Sequence, residues 1–101
     1  MHDITVDELK ARMDQKESLN IIDVREPYEY EEFNIGAILI PLAELPGRLD
    51  ELEHLKEQEL ILHCRSGGRS NTAKQFMAEN GFTKVRNLLG GMLEWQSKFG
   101  S

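Results

Sequence analysis

The chain has 101 residues, with 12 Lys and Arg against 18 Asp and Glu and a formal net charge of −6. That length is expected to form one domain, 1–101, because single cores run to roughly 100–200 residues, and the acidity excludes a nucleic-acid sheath, which needs a basic face for phosphates. No apolar run approaches the roughly 18 residues that cross a membrane, and residues 1–10 lack the apolar stretch of a signal peptide, so a cytoplasmic protein is expected.

The elements alternate between two periodicities. Thr5 and Glu8 have the spacing of a capping box, and Val6, Leu9, Arg12 and Met13 follow at helical intervals, which predicts a helix over 6–16. The apolar run at 20–24 reads as a buried strand. Pro27 opens a short acidic helical segment ending at Phe33. Ile38, Leu39 and Ile40 form a second strand, stopped by Pro41. Leu42, Leu45, Leu49, Leu52 and Leu55 make a helical stripe interrupted by Pro46 and Gly47. A third strand over 60–63 runs into Cys64, and a helix over 71–80 follows, closed by Gly81. A fourth strand spans 84–88, and Gly90 and Gly91 open a last helix ending near Gly100. This alternation implies βαβ units, hence an α/β fold with a parallel sheet covered on both faces. Ligands of such sheets bind beyond the carboxyl ends of the strands, which is where Cys64 falls.

Cys64 is the only cysteine, so it can form no internal disulfide and no structural zinc site by itself. It opens the run Cys64, Arg65, Ser66, Gly67, Gly68, Arg69, Ser70 between a strand and a helix. The glycines permit a tight turn with positive φ. Such a turn can aim successive N–H groups inward as an anion nest. The helix start adds about half a positive charge, and Arg65 and Arg69 add two full ones. All of these favour thiolate and should bring the thiol well below its free value of about 8.5. The alternative is a structural cysteine followed by an ordinary turn. His63 neighbours Cys64 on a strand and therefore points to the opposite face, where it packs rather than acting as a base. His2 and His54 read as surface residues. No metal or organic cofactor is implied.

The run from Cys64 to Ser70 strongly resembles the active-site loop of the rhodanese family of sulfurtransferases. Other segments resemble that family in the same order: Ile22, Asp23, Val24, Arg25, Glu26 with Glu29 and Tyr30; Gly36 and Ala37 leading to Ile40, Pro41, Leu42; and Leu89, Gly90, Gly91, Met92 with Trp95. One departure is that Phe33 and Ile35 stand where the family often has histidine and proline. The resemblance implies a rhodanese-like fold with a central five-stranded parallel sheet and helices on both faces. It also implies transfer of sulfane sulfur from a small anionic donor such as thiosulfate to cyanide, a thiol or a partner protein, through a persulfide on Cys64. Residues 65–69 would hold the outer sulfur, with Arg65 and Arg69 orienting the donor. Asp23 and Arg25 either brace this loop or form a cap and salt-bridge pair. Met92 and Trp95 read as core, and the acidic residues 26–32 as a solvated face.

Cysteine phosphatases and arsenate reductases use similar apparatus, but phosphatases have Cys-x5-Arg. Here Cys64 to Arg69 is Cys-x4-Arg, a smaller cradle that suits one sulfur better than a tetrahedral phosphate ester. A further alternative is a module that uses the fold for binding or sulfur relay. The transfer reading requires loop amides that face the sulfur and a sulfur within reach of solvent.

Overall fold

The computed structural model describes residues 2–100. Helix α1 (Val6–Asp14) begins where the Thr5 hydroxyl accepts the Glu8 amide at 3.1 Å, satisfying one of the free N–H groups of a first turn. Strand β1 (Ile21–Asp23) leads to α2 (Pro27–Glu32). Glu26 caps α2, its backbone N–H reaching the Glu29 carboxylate at 3.0 Å. Strand β2 is Ile38–Leu39. The leucine stripe after it is not one helix. A 3-10 turn (Leu42–Glu44), the short helix α3 (Leu45–Arg48) and a longer 3-10 segment (Leu49–Leu55) follow one another. Pro46 sits in the first turn of α3, where its missing N–H is harmless. Then come β3 (Leu60–His63), α4 (Gly68–Glu79), β4 (Val85–Asn87) and α5 (Gly91–Phe99).

The strands form one parallel sheet in the order β2-β1-β3-β4. Among the described residues it has four strands, not the five implied by the resemblance. The fifth position is held by Ile4 alone, which makes a single parallel bridge to Leu88. Its amide donates to the Asn87 carbonyl at 3.0 Å and its carbonyl accepts the Leu89 amide at 2.9 Å. The helix that starts at Val6 leaves no length for more pairing.

Period-two alternation divides the core. Ile22, Leu60 and Leu62 pack with Leu45, Leu52, Ala73 and Met77 on one face of the sheet. Ile61 and Leu88 pack with Ile4, Val6, Leu9, Met92 and Trp95 on the other. All four residues of β3 are buried, as a central parallel strand covered on both sides requires. Cys64 joins the first cluster, on the α4 side. His63 points the other way, consistent with the alternation. Among the described residues, no helix is long and apolar enough to cross a membrane.

Candidate active site

The strand-to-helix connection is shorter than the sequence implies, because α4 begins at Gly68 rather than near Ser70. Only Gly67 needs its lack of a side chain for conformation: its φ is +111°, whereas Gly68 is helical with open space around it. The early start places Ser70 in the first turn of α4, where backbone N–H groups have no helical partner. Two such groups turn onto the sulfur. Cys64 Sγ accepts from the amide of Gly67 at 3.1 Å and of Ser70 at 3.4 Å, with the Ser70 hydroxyl also 3.4 Å away. Burial pushes the thiol up, but the Ser70 hydroxyl and the amides of Ser70, Gly67 and Ser66 outweigh it, so the thiol lies below its ordinary value. The residue is only 1% exposed. The amides therefore face the sulfur as the transfer reading requires, while the sulfur is closed off from solvent in this state.

The other end of the loop is held by α5. Met92 and Leu93 donate their amides to the carbonyls of Cys64 and Arg65 at 3.0 and 2.9 Å. Gly91 makes this approach possible: a Cβ there would lie 2.5 Å from the Cys64 oxygen and 2.6 Å from the Arg65 oxygen.

The two loop arginines differ. Arg69 is held in a bidentate pair with Glu29, Nη1 to Oε1 at 2.7 Å and Nη2 to Oε2 at 2.9 Å. Arg69 acts on the sulfur through its charge and makes no hydrogen bond to it. Arg65 is exposed and its side chain makes no ion pair among the described residues. Ser66 and Gly68 are exposed at the loop surface. Glu29 is the exception to the solvated reading of residues 26–32. The Arg69 guanidinium, opposed by burial and helped by the Glu26 amide, draws its carboxyl down to about 2.

Asp23 and Arg25 are both buried and paired with each other, Arg25 Nη2 to Asp23 Oδ2 at 2.7 Å. Arg25 also donates to the Phe33 carbonyl at 2.7 Å. Neither makes a hydrogen bond to residues 64–70, so of the two readings of this pair the salt bridge is the one seen, and it fastens the end of α2 rather than the loop. Met92 and Trp95 are core residues. A cleft of about 580 Å³ borders the loop, lined by Arg25, Tyr28, Glu29, Arg65, Arg69 and Leu93 among others.

His63 is fully buried, 3.8 Å from Asp23, with neither ring nitrogen hydrogen-bonded. Burial pushes its pKa down to about 4; Asp23 opposes this and Arg25 reinforces it. The folded value lies below the unfolded one of about 6.5, so the unfolded chain binds the extra proton. Stability from this residue is full above about pH 6.5 and falls as pH drops toward 4, by about 3 kcal/mol. Urea unfolding at stepped pH should show the slope in wild type and its loss in His63→Leu. Equal slopes would assign the acid sensitivity to other groups.

Comparison with known proteins places this geometry. The family model for the rhodanese-like domain matches residues 5–98. The chain belongs to the rhodanese-like domain family. A Bacillus subtilis protein named "Putative sulfur carrier protein YrkF" is 42% identical over 97 residues, covering 95% of this chain and 51% of that protein. This rhodanese-like chain thus spans about half the length of that relative. A protein of Allochromatium vinosum named sulfurtransferase is 30% identical over 96 residues, 94% of this chain and 88% of that one. The human single-domain sulfurtransferase TSTD1 superposes with a TM-score of 0.82 at 28% identity, covering 95% of this chain and 96% of that one. The fold expected from the sequence is therefore correct in class, with the strand count amended.

Sequence reasoning missed Glu29, Asn87 and the closeness of Gly91 to the loop carbonyls. Glu29 carried one signal, its position three residues after Glu26 at a helix start. Asn87 carried no comparable signal, since its strand also holds Arg86.

Proposed function

We propose that the protein is a rhodanese-type sulfurtransferase that carries sulfane sulfur on Cys64. The observation that supports this most directly is the convergence of the Gly67 and Ser70 amides on the one cysteine sulfur of the chain. In the proposed reaction the Cys64 thiolate attacks the sulfane sulfur of thiosulfate. The donor S–S bond breaks, sulfite leaves with the electron pair, and a Cys64 persulfide forms. An acceptor such as cyanide then attacks the outer sulfur, giving thiocyanate and restoring the thiolate. With no second cysteine, the persulfide discharges only to an external acceptor. Arg65 attracts the anionic donor into the cleft, residues 65–67 yield to admit it, and their N–H groups hold the outer sulfur. The cleft is much larger than an inorganic sulfur anion, so a thiol carried by a partner protein fits as acceptor. Cytoplasmic location is part of the same proposal.

Engagement of both terminal Arg69 nitrogens by Glu29 weighs against a phosphatase, which needs its loop arginine free for phosphate. The burial of Cys64 favours one second reading, a binding module without turnover. An intact-mass experiment separates them. After thiosulfate, the wild type should gain one sulfur and lose it on adding cyanide, whereas Cys64→Ser should gain nothing. A wild-type protein that stays unmodified while its thiol still reacts with alkylating agents would support the binding module.

A further inference from the structure

Asn87, the last residue of β4, is buried and lies behind the loop. Its side-chain Nδ2 is 3.2 Å from the Gly67 carbonyl. A carbonyl can only accept, so the amide nitrogen must face it and Oδ1 must face the other way. There Oδ1 meets the Ser70 hydroxyl in the tightest contact that hydroxyl makes. Since Oδ1 can only accept, the hydroxyl hydrogen lies on Asn87 in that contact. Ser70 Oγ has one hydrogen and three acceptors within reach: Asn87 Oδ1, the Gly67 carbonyl at 3.3 Å and Cys64 Sγ at 3.4 Å. While the hydrogen is on Asn87, Oγ presents a lone pair to the sulfur and accepts the S–H hydrogen of the neutral thiol. When the sulfur is a thiolate, the hydroxyl helps only by turning its hydrogen away from Asn87.

We propose that Asn87 is a positioning residue that governs the Cys64 protonation state by competing with the sulfur for the single hydroxyl hydrogen of Ser70. The same side chain ties Gly67, whose amide also donates to the sulfur. Asn87 is held in turn by Asp3, which accepts its backbone amide at 2.9 Å and the Lys74 ammonium at 2.6 Å. The ionisable groups around the thiol are Arg65 in the loop, Arg69 on α4 paired with Glu29 on α2, and the buried His63 on β3. None of them contacts Ser70 Oγ or Asn87 Oδ1. The inference adds to the proposed function a residue that tunes its nucleophile, and its test needs no sulfur transfer.

The sole cysteine allows direct titration by ultraviolet thiolate absorbance, with Cys64→Ser as blank. Asn87→Ala frees the Ser70 hydroxyl for the thiolate, so the thiol pKa should fall by roughly half to one unit, about three- to tenfold more thiolate at lower pH. In a Ser70→Ala background the same Asn87 substitution should give no such fall. A purely structural Asn87 would give the opposite sign, because loosened amides raise the pKa. An unchanged or raised pKa in Asn87→Ala, or an undiminished fall in the Ser70→Ala background, overturns the proposal. If Asn87→Ala does not fold, Asn87→Val fills more of the same space without an acceptor and should shift the pKa in the same direction. Absence of sulfur transfer with the expected titration would sink the proposed function and leave this inference standing.

Discussion

Alanine at Gly91 is expected to break the site and destabilise the domain together. The residue has φ +56°, a conformation that strains any side chain, and its Cβ would strike the backbone oxygens of Cys64 and Arg65. These are not flexible side-chain ends that can swing aside. Either the loop or α5 must move, and the Met92 and Leu93 amides then lose the loop carbonyls they hold. Backbone strain of this kind costs about 2 kcal/mol or more. Displacing the loop by about an ångström should slow formation of the sulfur adduct by roughly a hundredfold. Denaturant unfolding and the rate of mass gain with thiosulfate measure the two effects. Gly47→Ala is the control, since nothing lies within 4 Å of its would-be Cβ and its φ is not positive. If Gly91→Ala behaves like that control, α5 does not hold the loop.

The second large effect is expected at Asp23. This carboxylate is fully buried and accepts the Arg25 backbone amide, Nε and Nη2. Asp23→Ala leaves a guanidinium in the interior with the Phe33 carbonyl as its one remaining hydrogen-bond partner among the described residues. Removing one member of a buried pair costs about 3–5 kcal/mol, a large part of the roughly 5–15 kcal/mol that holds a domain folded. Urea midpoints should fall accordingly, and the double variant Asp23→Leu, Arg25→Met should recover much of the loss, because replacing the whole pair leaves no bare charge. A loss below about 1 kcal/mol in the single variant would show that water reaches Arg25 and relieves it.

The parallel α/β class was legible in the sequence because apolar runs and helical spacing alternate at a pitch that only βαβ crossovers explain. The third strand, over 60–63, was legible to the residue, since the apolar run Leu60, Ile61, Leu62 followed by His63 leads straight into the polar, glycine-containing segment from Cys64 to Ser70. The reduction of the first strand to Ile4 was not, because a single bridge leaves no alternating pattern. The leucine stripe after Pro41 misled for a different reason. Its spacing is helical, but a 3-10 segment also turns every third residue to one side, as it does the buried Leu52 and Leu55 and the partly buried Leu49. At the site, the loop announced itself by residue type. What the loop arginines do was hidden, since Arg69 is claimed by Glu29, 40 positions away in sequence. Pairings of that kind depend on how α2 and α4 come together, which no local pattern encodes.

The bridge made by Ile4 has an effect beyond topology. A bare outer strand is a template for another chain, because its free N–H and C=O groups invite pairing. Asp3 and Ile4 occupy those groups on Asn87 and Leu89, and Arg86 is tethered by its side chain to the His2 carbonyl. A protease cut just after Ile4 would therefore uncover an adhesive border along β4. Such clipped molecules would tend to aggregate edge to edge before they lost their fold.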